Sequence, residues 1–535
     1  MSARWHPPAL AVAAGLAVAA AHPPLGWWPL ALLAPALLAI AVARAGGSPG
    51  PSGTVVRIRT ALGLGTLAGL SAYGPMLLWV ARPAGVVAWV LLALSQAVFL
   101  GAFAVAVAPS LRGRFAAPAV ALAWTGAEAW RGAVPLGGFG WGELAYAHAG
   151  GTFMLPSARV VGARGLTLLT ALVAGFVYDA WRRARAATDG LDGDTRDLAM
   201  AGFPHLQPAL IGVAATLALS VLVTVEPPPE VGTLEVLAVQ GNDMPDTVGT
   251  AVAESFTITT NLAEETARAV AADGVPGLTV WPESGVDRDP TTERGAELAA
   301  PLAAGAAVVG DAGFVIGVNL AGPEPRTFRN TAAVVDATGR IGATYDKRHL
   351  VPFGEFVPAR PLLGDLPPLR LVPNDGVPGD GPQVLEVAGT RVAVAICFET
   401  LFGRLVRDNV LAGPGEEPAA LLLASTNDAS YGFSSEPAQH LAQSVLRAVE
   451  TGRHVVHAAL SGSSAFVAPD GTVTGETELF TVTHTRGTVG LVEGRTPFLV
   501  TGDWVGLLAQ AVSLALLVLA LVARARRPHP ARPAA

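Results

Sequence analysis

The 535-residue chain is poor in several residue types that proteins of this size use freely. It has one cysteine, Cys397, which excludes an intramolecular disulfide and a cysteine-based zinc cluster. It has one lysine, Lys347; all other members of its 35 basic residues are arginine. Charged residues are 14% of the chain while 51% is hydrophobic; ordinary soluble domains carry about 25% charge. That balance excludes a disordered chain and argues against a purely soluble enzyme. With 42 acidic residues the formal charge is −7, so no basic footprint points to nucleic acid. The ten histidines show no metal-ligand spacing such as H-E-x-x-H. Arginine replaces lysine as a surface charge but not where a compact, titratable ammonium is needed. A lone lysine in an arginine-biased chain is therefore a functional candidate.

The chain divides into parts. Residues 1–226 are apolar runs joined by short loops, and a membrane span takes about 20 apolar residues. The pattern predicts seven spans, near 8–22, 25–44, 60–81, 85–109, 115–131, 162–181 and 207–225. Those at 8–22 and 115–131 are short, and the first also has the form of a signal peptide. Pro227, Pro228 and Pro229 close this part. Residues 232–500 have ordinary polar content. Runs at 233–239, 278–281, 391–396 and 420–424 read as buried strands, and 250–272 and 436–451 as helices, which together predict an α/β domain. Residues 503–523 form a strong single span, and 524–535 a basic tail with Arg524, Arg526, Arg527 and Arg532.

Arginines that follow a span mark the cytoplasmic side. Counting back from the tail puts the α/β domain outside the cytoplasm and the N-terminus inside. Arg57, Arg59, Arg112, Arg114, Arg182, Arg183 and Arg185 then fall in inner loops. Arg131, Arg159 and Arg164 flank the outer segment 132–161 against that trend. The spacing predicts a buried pair of Arg131 with Glu128, one helical turn earlier.

Three positions carry chemistry. Cys397 ends the apolar run Val392–Ile396, where a strand entering a turn presents its side chain to a cleft. A free cysteine is usually a small buried hydrophobe, but in an oxidising compartment a free thiol is exposed to oxidation without the gain of a disulfide. A thiol nucleophile needs a base and a positive partner. Glu283, in Trp281-Pro282-Glu283, ends another apolar strand, and partial burial there suits a general base. Lys347, in the run Lys347–Pro358, supplies an ammonium for a thiolate or an oxyanion.

The order Glu, Lys, Cys, each after a strand, resembles the nitrilase (carbon–nitrogen hydrolase) superfamily. The run KRHLVPFGEFVP at 347–358 resembles the signature of the bacterial apolipoprotein N-acyltransferases. Thr426-Asn427-Asp428, Gln439-His440-Leu441, Arg447-Ala448, Glu450 and Arg453 fit it too, as does Trp124…Glu128…Arg131…Gly138-Phe139-Gly140-Trp141. The chain departs from the family pattern at Phe398, commonly Tyr, at Leu460-Ser461-Gly462, and at Gly140. The resemblance implies a polytopic α-helical membrane domain plus an α/β nitrilase-like domain, an αββα sandwich.

It also implies a two-step acyl transfer in a bacterial cytoplasmic membrane, with no cofactor or metal. Cys397 would take an acyl chain from a phospholipid donor and pass it to the α-amino group of a diacylglyceryl-modified apolipoprotein acceptor. Glu283 would be general base and acid, Lys347 the oxyanion partner, Glu355 and Glu399 supporting groups, and Trp281, Phe398 and Tyr431 substrate contacts. Apolar loops at 359–375 and around Tyr431-Gly432-Phe433 are expected to exclude water. The alternatives are a membrane-tethered amidase acting on a small C–N substrate and a non-catalytic scaffold.

Overall fold

The computed structural model describes residues 6–46, 56–188, 195–243, 251–364, 366, 369–370, 372–411 and 417–525. Among the described residues seven α-helices precede the first strand: α1 (Pro7–Ala21), α2 (Ala34–Ala45), α3 (Ile58–Met76), α4 (Ala81–Val107), α5 (Ala116–Arg131), α6 (Ala158–Thr188) and α7 (Thr195–Leu222). The segments Trp28–Ala45, Leu78–Val107, Leu155–Ala187, Pro204–Leu222 and Trp504–Ala523 are long and apolar enough to cross a membrane. By contrast α1 has 15 residues and α5 has 16, short of the roughly 20 that a span takes. The arginines expected at 526–532 lie outside the described residues.

Small residues set the spacing of these helices. Apolar side chains gain little from one another where the solvent is itself apolar, so close backbone approach and van der Waals contact must hold the bundle. Gly69 of α3 lies against Ala97 of α4, and Gly126 of α5 against Ala509 and Ser513 of the last helix. Helix α1 is an integral layer, with Ala11, Ala14 and Val18 essentially inaccessible.

Between α5 and α6 the chain makes a compact excursion, residues 132–157. Here the expected Glu128–Arg131 pair does not form. Arg131 ends its helix and turns its guanidinium outward to the excursion, donating to the carbonyls of Phe139 (2.9 Å) and Trp141 (2.6 Å) and lying 4.7 Å over the Tyr73 ring. Glu128 instead accepts from the Trp124 indole at 2.8 Å, the Leu144 amide and the Thr167 hydroxyl. Both charges are buried: Glu128 is met by donors from α5, the excursion and α6, and Arg131 through Nη1 by two carbonyls of the excursion and by Gln96, while its Nε and Nη2 have no hydrogen-bond partner among the described residues.

The remaining elements are β1 (Glu230–Gln240), α8 (Ala251–Asp273), β2 (Leu278–Val286), α9 (Ala299–Val309), β3 (Gly313–Ala321), β4 (Thr327–Val335), β5 (Ile341–Asp346), α10 (Arg360–Leu363), β6 (Asp375–Gly376), β7 (Val384–Val387), β8 (Thr390–Ile396), α11 (Gly403–Leu411), β9 (Leu421–Thr426), α12 (Glu436–Thr451), β10 (Val455–Ala459), β11 (Ala465–Val467), β12 (Val473–Thr474), β13 (Thr483–Val492), α13 (Pro497–Thr501) and α14 (Trp504–Ala525). Two sheets form. One runs β13-β1-β2-β3-β4-β5 with β6 beside β4; the other runs β12-β11-β10-β9-β8-β7. Strands β1, β2 and β3 are mutually parallel, as are β8, β9 and β10.

The period-2 alternation of side chains sorts each strand between two cores. Val392, Val394 and Ile396 of β8 meet Val236, Val280 and Val315 between the sheets. The intervening Ala393 and Ala395 face Val406, Val410 and Leu446 of the helices outside. On the far side Leu237, Trp281 and Phe314 pack on Leu262 of α8 and Leu302 of α9. The result is the αββα sandwich, and the helix layer of the second sheet is continuous with the membrane bundle.

That continuity depends on close packing of α14. A Cβ at Gly126 would collide with Ser513 and with the Ala509 carbonyl. Gly126→Leu should therefore push α14 off α5 and destabilise the protein by about 1–3 kcal/mol, read as a fall in thermal midpoint in detergent. An unchanged midpoint would show that the two helices can separate freely.

Candidate active site

The carboxyl ends of two parallel strand sets point to one cleft, where open α/β sheets place their ligands. Strand β2 bulges between Trp281 and Val286, and Ser284 takes a φ of 58°. The bulge re-aims Glu283. Strand β5 runs into Lys347, whose amide donates to Asn330 O at 2.8 Å. Strand β8 ends at Ile396, and Cys397 takes a φ of 50° at the head of a 3-10 turn. Left-handed backbone is costly for a residue with a Cβ and persists only where its surroundings enforce it. It lifts the thiol out of the strand, as an elbow does for other nucleophiles.

Lys347 is buried to 1% exposure with its Nζ 3.0 Å from Glu283 Oε1 and 3.0 Å from Glu355 Oε1. Asn330 Nδ2 donates to the same two oxygens, at 2.6 and 2.8 Å. The outer oxygens are met by backbone: Asn427 N–H donates to Glu283 Oε2 at 2.8 Å, and Val351 N–H to Glu355 Oε2 at 2.7 Å. Burial alone would lower the lysine pKa, but Glu283, Glu355 and Cys397 outweigh it and hold the ammonium well above its ordinary range. The Cys397 thiol is pushed well above its ordinary range, by burial first and by the Glu283 charge second, with Lys347 acting in the opposite sense. A thiol kept protonated at rest, with a carboxylate and an ammonium both acting on it, is arranged to ionise only as it reacts.

Glu399 is inaccessible and accepts from four donors. The amides of Arg348 (2.7 Å), His349 (3.1 Å) and Ile396 (2.8 Å) and the Tyr345 hydroxyl (2.9 Å) all point at it. Burial raises its pKa while those amides and Lys347 pull it back. Tyr345 is held in turn by Asn409 Nδ2 at 2.9 Å. Glu399 thus ties the start of the lysine loop to the cysteine turn without reaching the cleft.

Cys397, Asp428 and His440 each bring an atom within 4.8 Å of the others. Their polar atoms bond to one another and to Thr400 and Thr426, so the cluster is a hydrogen-bonded network rather than a cation site.

Residues 14–176 match the family model for the apolipoprotein N-acyltransferase N-terminal domain, and 237–490 that for carbon-nitrogen hydrolase. An apolipoprotein N-acyltransferase of Mycolicibacterium smegmatis is 31% identical over 98% of this chain and 86% of its own. The chain belongs to the apolipoprotein N-acyltransferase family. An apolipoprotein N-acyltransferase of Geobacter metallireducens is 30% identical over 95% of this chain and 94% of its own. A solved amidase from Nesterenkonia sp. is similar over 52% of this chain and 94% of that one, at 20% identity and a TM-score of 0.31. Like its family, this chain is a membrane protein.

Within this family member, Phe398 sits beside the cleft, 5.6 Å from His349, 5.1 Å from Phe402 and 6.0 Å from Phe139 of the membrane domain. Tyr431 lies edge-on to Trp79 at 4.8 Å, and burial pushes its hydroxyl well above the ordinary phenol range. Trp281 is not brought to the cleft. It faces the other core, packs on Phe314 and donates to Thr266 Oγ1 at 2.9 Å, so the bulge that turns Glu283 inward separates the two side chains. Leu362, Leu366 and Phe433 are exposed apolar residues on the loops expected to cover the cleft, and Phe353, in the lysine run before them, is exposed too. The motif reading missed Asn330; it stands among the polar residues Thr327, Arg329 and Thr331 at the start of β4, where an amide carries no local signal.

A glutamine at 399 has one acceptor oxygen where four donors converge. Glu399→Gln should lose at least about 2 kcal/mol, since hydrogen bonds to a charged group are worth about 1.5–3 kcal/mol each. Chemical denaturation with a Tyr345→Phe control, expected to lose about 1 kcal/mol, measures it. Wild-type stability in Glu399→Gln would show that the carboxylate is not the tie described.

Proposed function

We propose that this protein transfers a fatty acyl chain from a phospholipid to the α-amino group of the lipidated N-terminal cysteine of apolipoproteins. The observation that carries the reading is the buried Glu283–Lys347–Glu355 set beside the left-handed Cys397 elbow. It lies at the face where the sandwich meets the membrane bundle.

In the first half-reaction Glu283 takes the thiol proton as Cys397 Sγ attacks the ester carbonyl carbon. The oxyanion forms beside Lys347, whose charge Glu355 and Asn330 hold in place. Collapse breaks the ester C–O bond, and Glu283 returns the proton to the lysophospholipid oxygen. In the second, the amine attacks the thioester carbon and gives its proton to Glu283. The C–S bond breaks, Cys397 recovers a proton and the amide leaves. Water competes with the amine for the thioester, so the exposed apolar residues Phe353, Leu362 and Phe433 are placed to close over the bound lipid.

Phe139, Trp141, Trp79 and Tyr431 supply an aromatic wall shared by the two domains. Anchoring both substrates in the bilayer beside this wall restricts their orientation, which removes much of the entropic barrier. The arginine distribution supports a multi-pass protein of the bacterial cytoplasmic membrane. In this arrangement the seven N-terminal helices of 1–226 and the span at 503–523 carry domain 232–500 on the outer face, and the tail at 524–535 is cytoplasmic.

Incubation with phospholipid alone should add one acyl mass to the intact protein, removable by neutral hydroxylamine and absent from Cys397→Ala. Glu283→Gln should slow this acylation about 10²–10⁴-fold, as expected for loss of a general base. The same variant should lower the pH midpoint of thiol alkylation, because the charge that opposes thiolate formation is gone. No adduct on the wild-type protein, with activity on small amides, would replace this reading with an amidase.

A further inference from the structure

Helix α12 is polar along one side, yet almost all of it is buried, including Glu436, Gln439, His440, Gln443, Arg447 and Glu450. Part of that face locks the domains together. Gln439 Oε1 accepts from the indoles of Trp79 (3.2 Å) and Trp141 (2.6 Å), and Glu450 accepts from the Ala163 amide at 2.5 Å. His440 does something else. Its Nε2 lies 3.1 Å from the backbone carbonyl of Cys397, and its Nδ1 lies 3.0 Å from Asp428 Oδ1.

Counting protons fixes its state. The Cys397 carbonyl has no proton to give, so Nε2 carries one. The Asp428 carboxylate has none to give either, so Nδ1 carries another; Thr426 Oγ1, 2.9 Å from Asp428 Oδ1 and 3.2 Å from Nδ1, donates to the carboxylate. Thr400 Oγ1 is 3.0 Å from Nε2 and accepts from it, while its own proton has two acceptors, the Cys397 carbonyl at 2.9 Å and Gln443 Oε1 at 3.0 Å. Each contact of the ring is met when it holds two protons, while the second Asp428 oxygen has no hydrogen-bond partner among the described residues.

We propose that His440 is a positioning residue for the nucleophile: as an imidazolium clamped by Asp428, it pins the Cys397 carbonyl and so maintains the left-handed elbow. The clamp also reaches the base. Asn427, next to Asp428, donates its amide to Glu283 Oε2. One short turn after β9 therefore holds both the base and, through His440, the nucleophile.

The groups that face the ring are consistent with its charge. Asp428 comes from the β9 turn, Cys397 from the end of β8, Glu283 from β2 and Glu436 from α12 itself, with Oε1 3.6 Å from Nδ1. His457 of β10 lies 5.4 Å away, held neutral with a pKa of about 3 by burial and by the charge on His440. Tyr431 lies on the cleft side. Burial pushes the His440 pKa down, but the charge and hydrogen bond of Asp428, with Cys397 O and Glu283, raise it on balance. Glu436 is driven well above its ordinary range by burial and by Asp428. The folded-state pKa of His440 being raised, the imidazolium is held to higher pH than in a free histidine and is lost as pH climbs through that value.

The inference rests on the acyl-enzyme reading above, and one experiment separates the two. Single-turnover acylation of the full-length protein is followed across pH in mixed phosphatidylglycerol–phosphatidylethanolamine micelles. His440→Gln should lower the maximal rate about 10²-fold, the scale of a small misplacement of a reacting group, with little change in the lipid concentration giving half-maximal rate. The alkaline fall of the wild-type profile that reports His440 should vanish in this variant, and Asp428→Asn should move that fall to lower pH. A wild-type rate in His440→Gln, or an alkaline fall retained, overturns the proposal. Failure of the wild-type protein to acylate at all overturns the acyl-transfer reading instead. Should either variant misfold, nitrogen NMR of histidine-labelled wild-type protein decides. At pH 7 one ring must show both nitrogens protonated and be lost in high-pH titration; a neutral set overturns the proposal.

Discussion

An ammonium held between two carboxylates in a nearly dry site is the constraint around which the catalytic half is organised. Lys347 cannot be buried alone, because an uncompensated charge there costs several kcal/mol. Glu283 and Glu355 compensate it, and each in turn needs further donors, which Asn330, the Asn427 amide and the Val351 amide provide. Satisfying one charge therefore recruits β2, β4, the loop after β5 and the turn after β9. A single arginine in place of the lysine would demand a planar fork where the site offers two oxygens around a point charge. This accounts for one lysine surviving in a chain that otherwise uses arginine.

The second constraint is the seam between sandwich and bundle. A helix such as α12, on its own, would bury its apolar stripe and leave the rest to water. Here the apolar stripe packs on the second sheet through Leu441, Val445 and Leu446, while the polar side is buried against membrane helices and against the nucleophile turn. Buried polar groups must find partners, and these do: Gln439 with two indoles, His440 with Asp428 and Cys397, Arg447 with Glu450 at 3.0 Å. The cleft is thereby fixed at the level of the lipid-facing domain. In the proposed reaction that is where both lipid substrates arrive.

Much of this was legible along the chain. Apolar runs anticipated the five segments long and apolar enough to cross a membrane, and shorter apolar runs gave β1, β2, β8 and β9 within a few residues, because both patterns are local consequences of what each element buries. Glu283, Lys347, Glu355, Cys397 and Glu399 were marked by motif and by scarcity. The Glu128–Arg131 pair was misread because helical spacing says which residues share a face but not what a terminal side chain meets beyond the helix. Trp281 was misassigned for a related reason: alternation puts residues two apart on one face, and the bulge in β2 cancels it.

By itself, then, the amino-acid order determined what each segment buries, through local periodicity, and singled out the one thiol and the one ammonium of the chain, through their scarcity. Tertiary structure decided which polar groups face one another. Asn330 between two carboxylates, Glu399 beneath four donors and His440 behind the cysteine carbonyl are contacts between strands and helices far apart in the chain. They form because a buried charge or amide must be satisfied by whatever the fold brings next to it, and no local pattern records that neighbour.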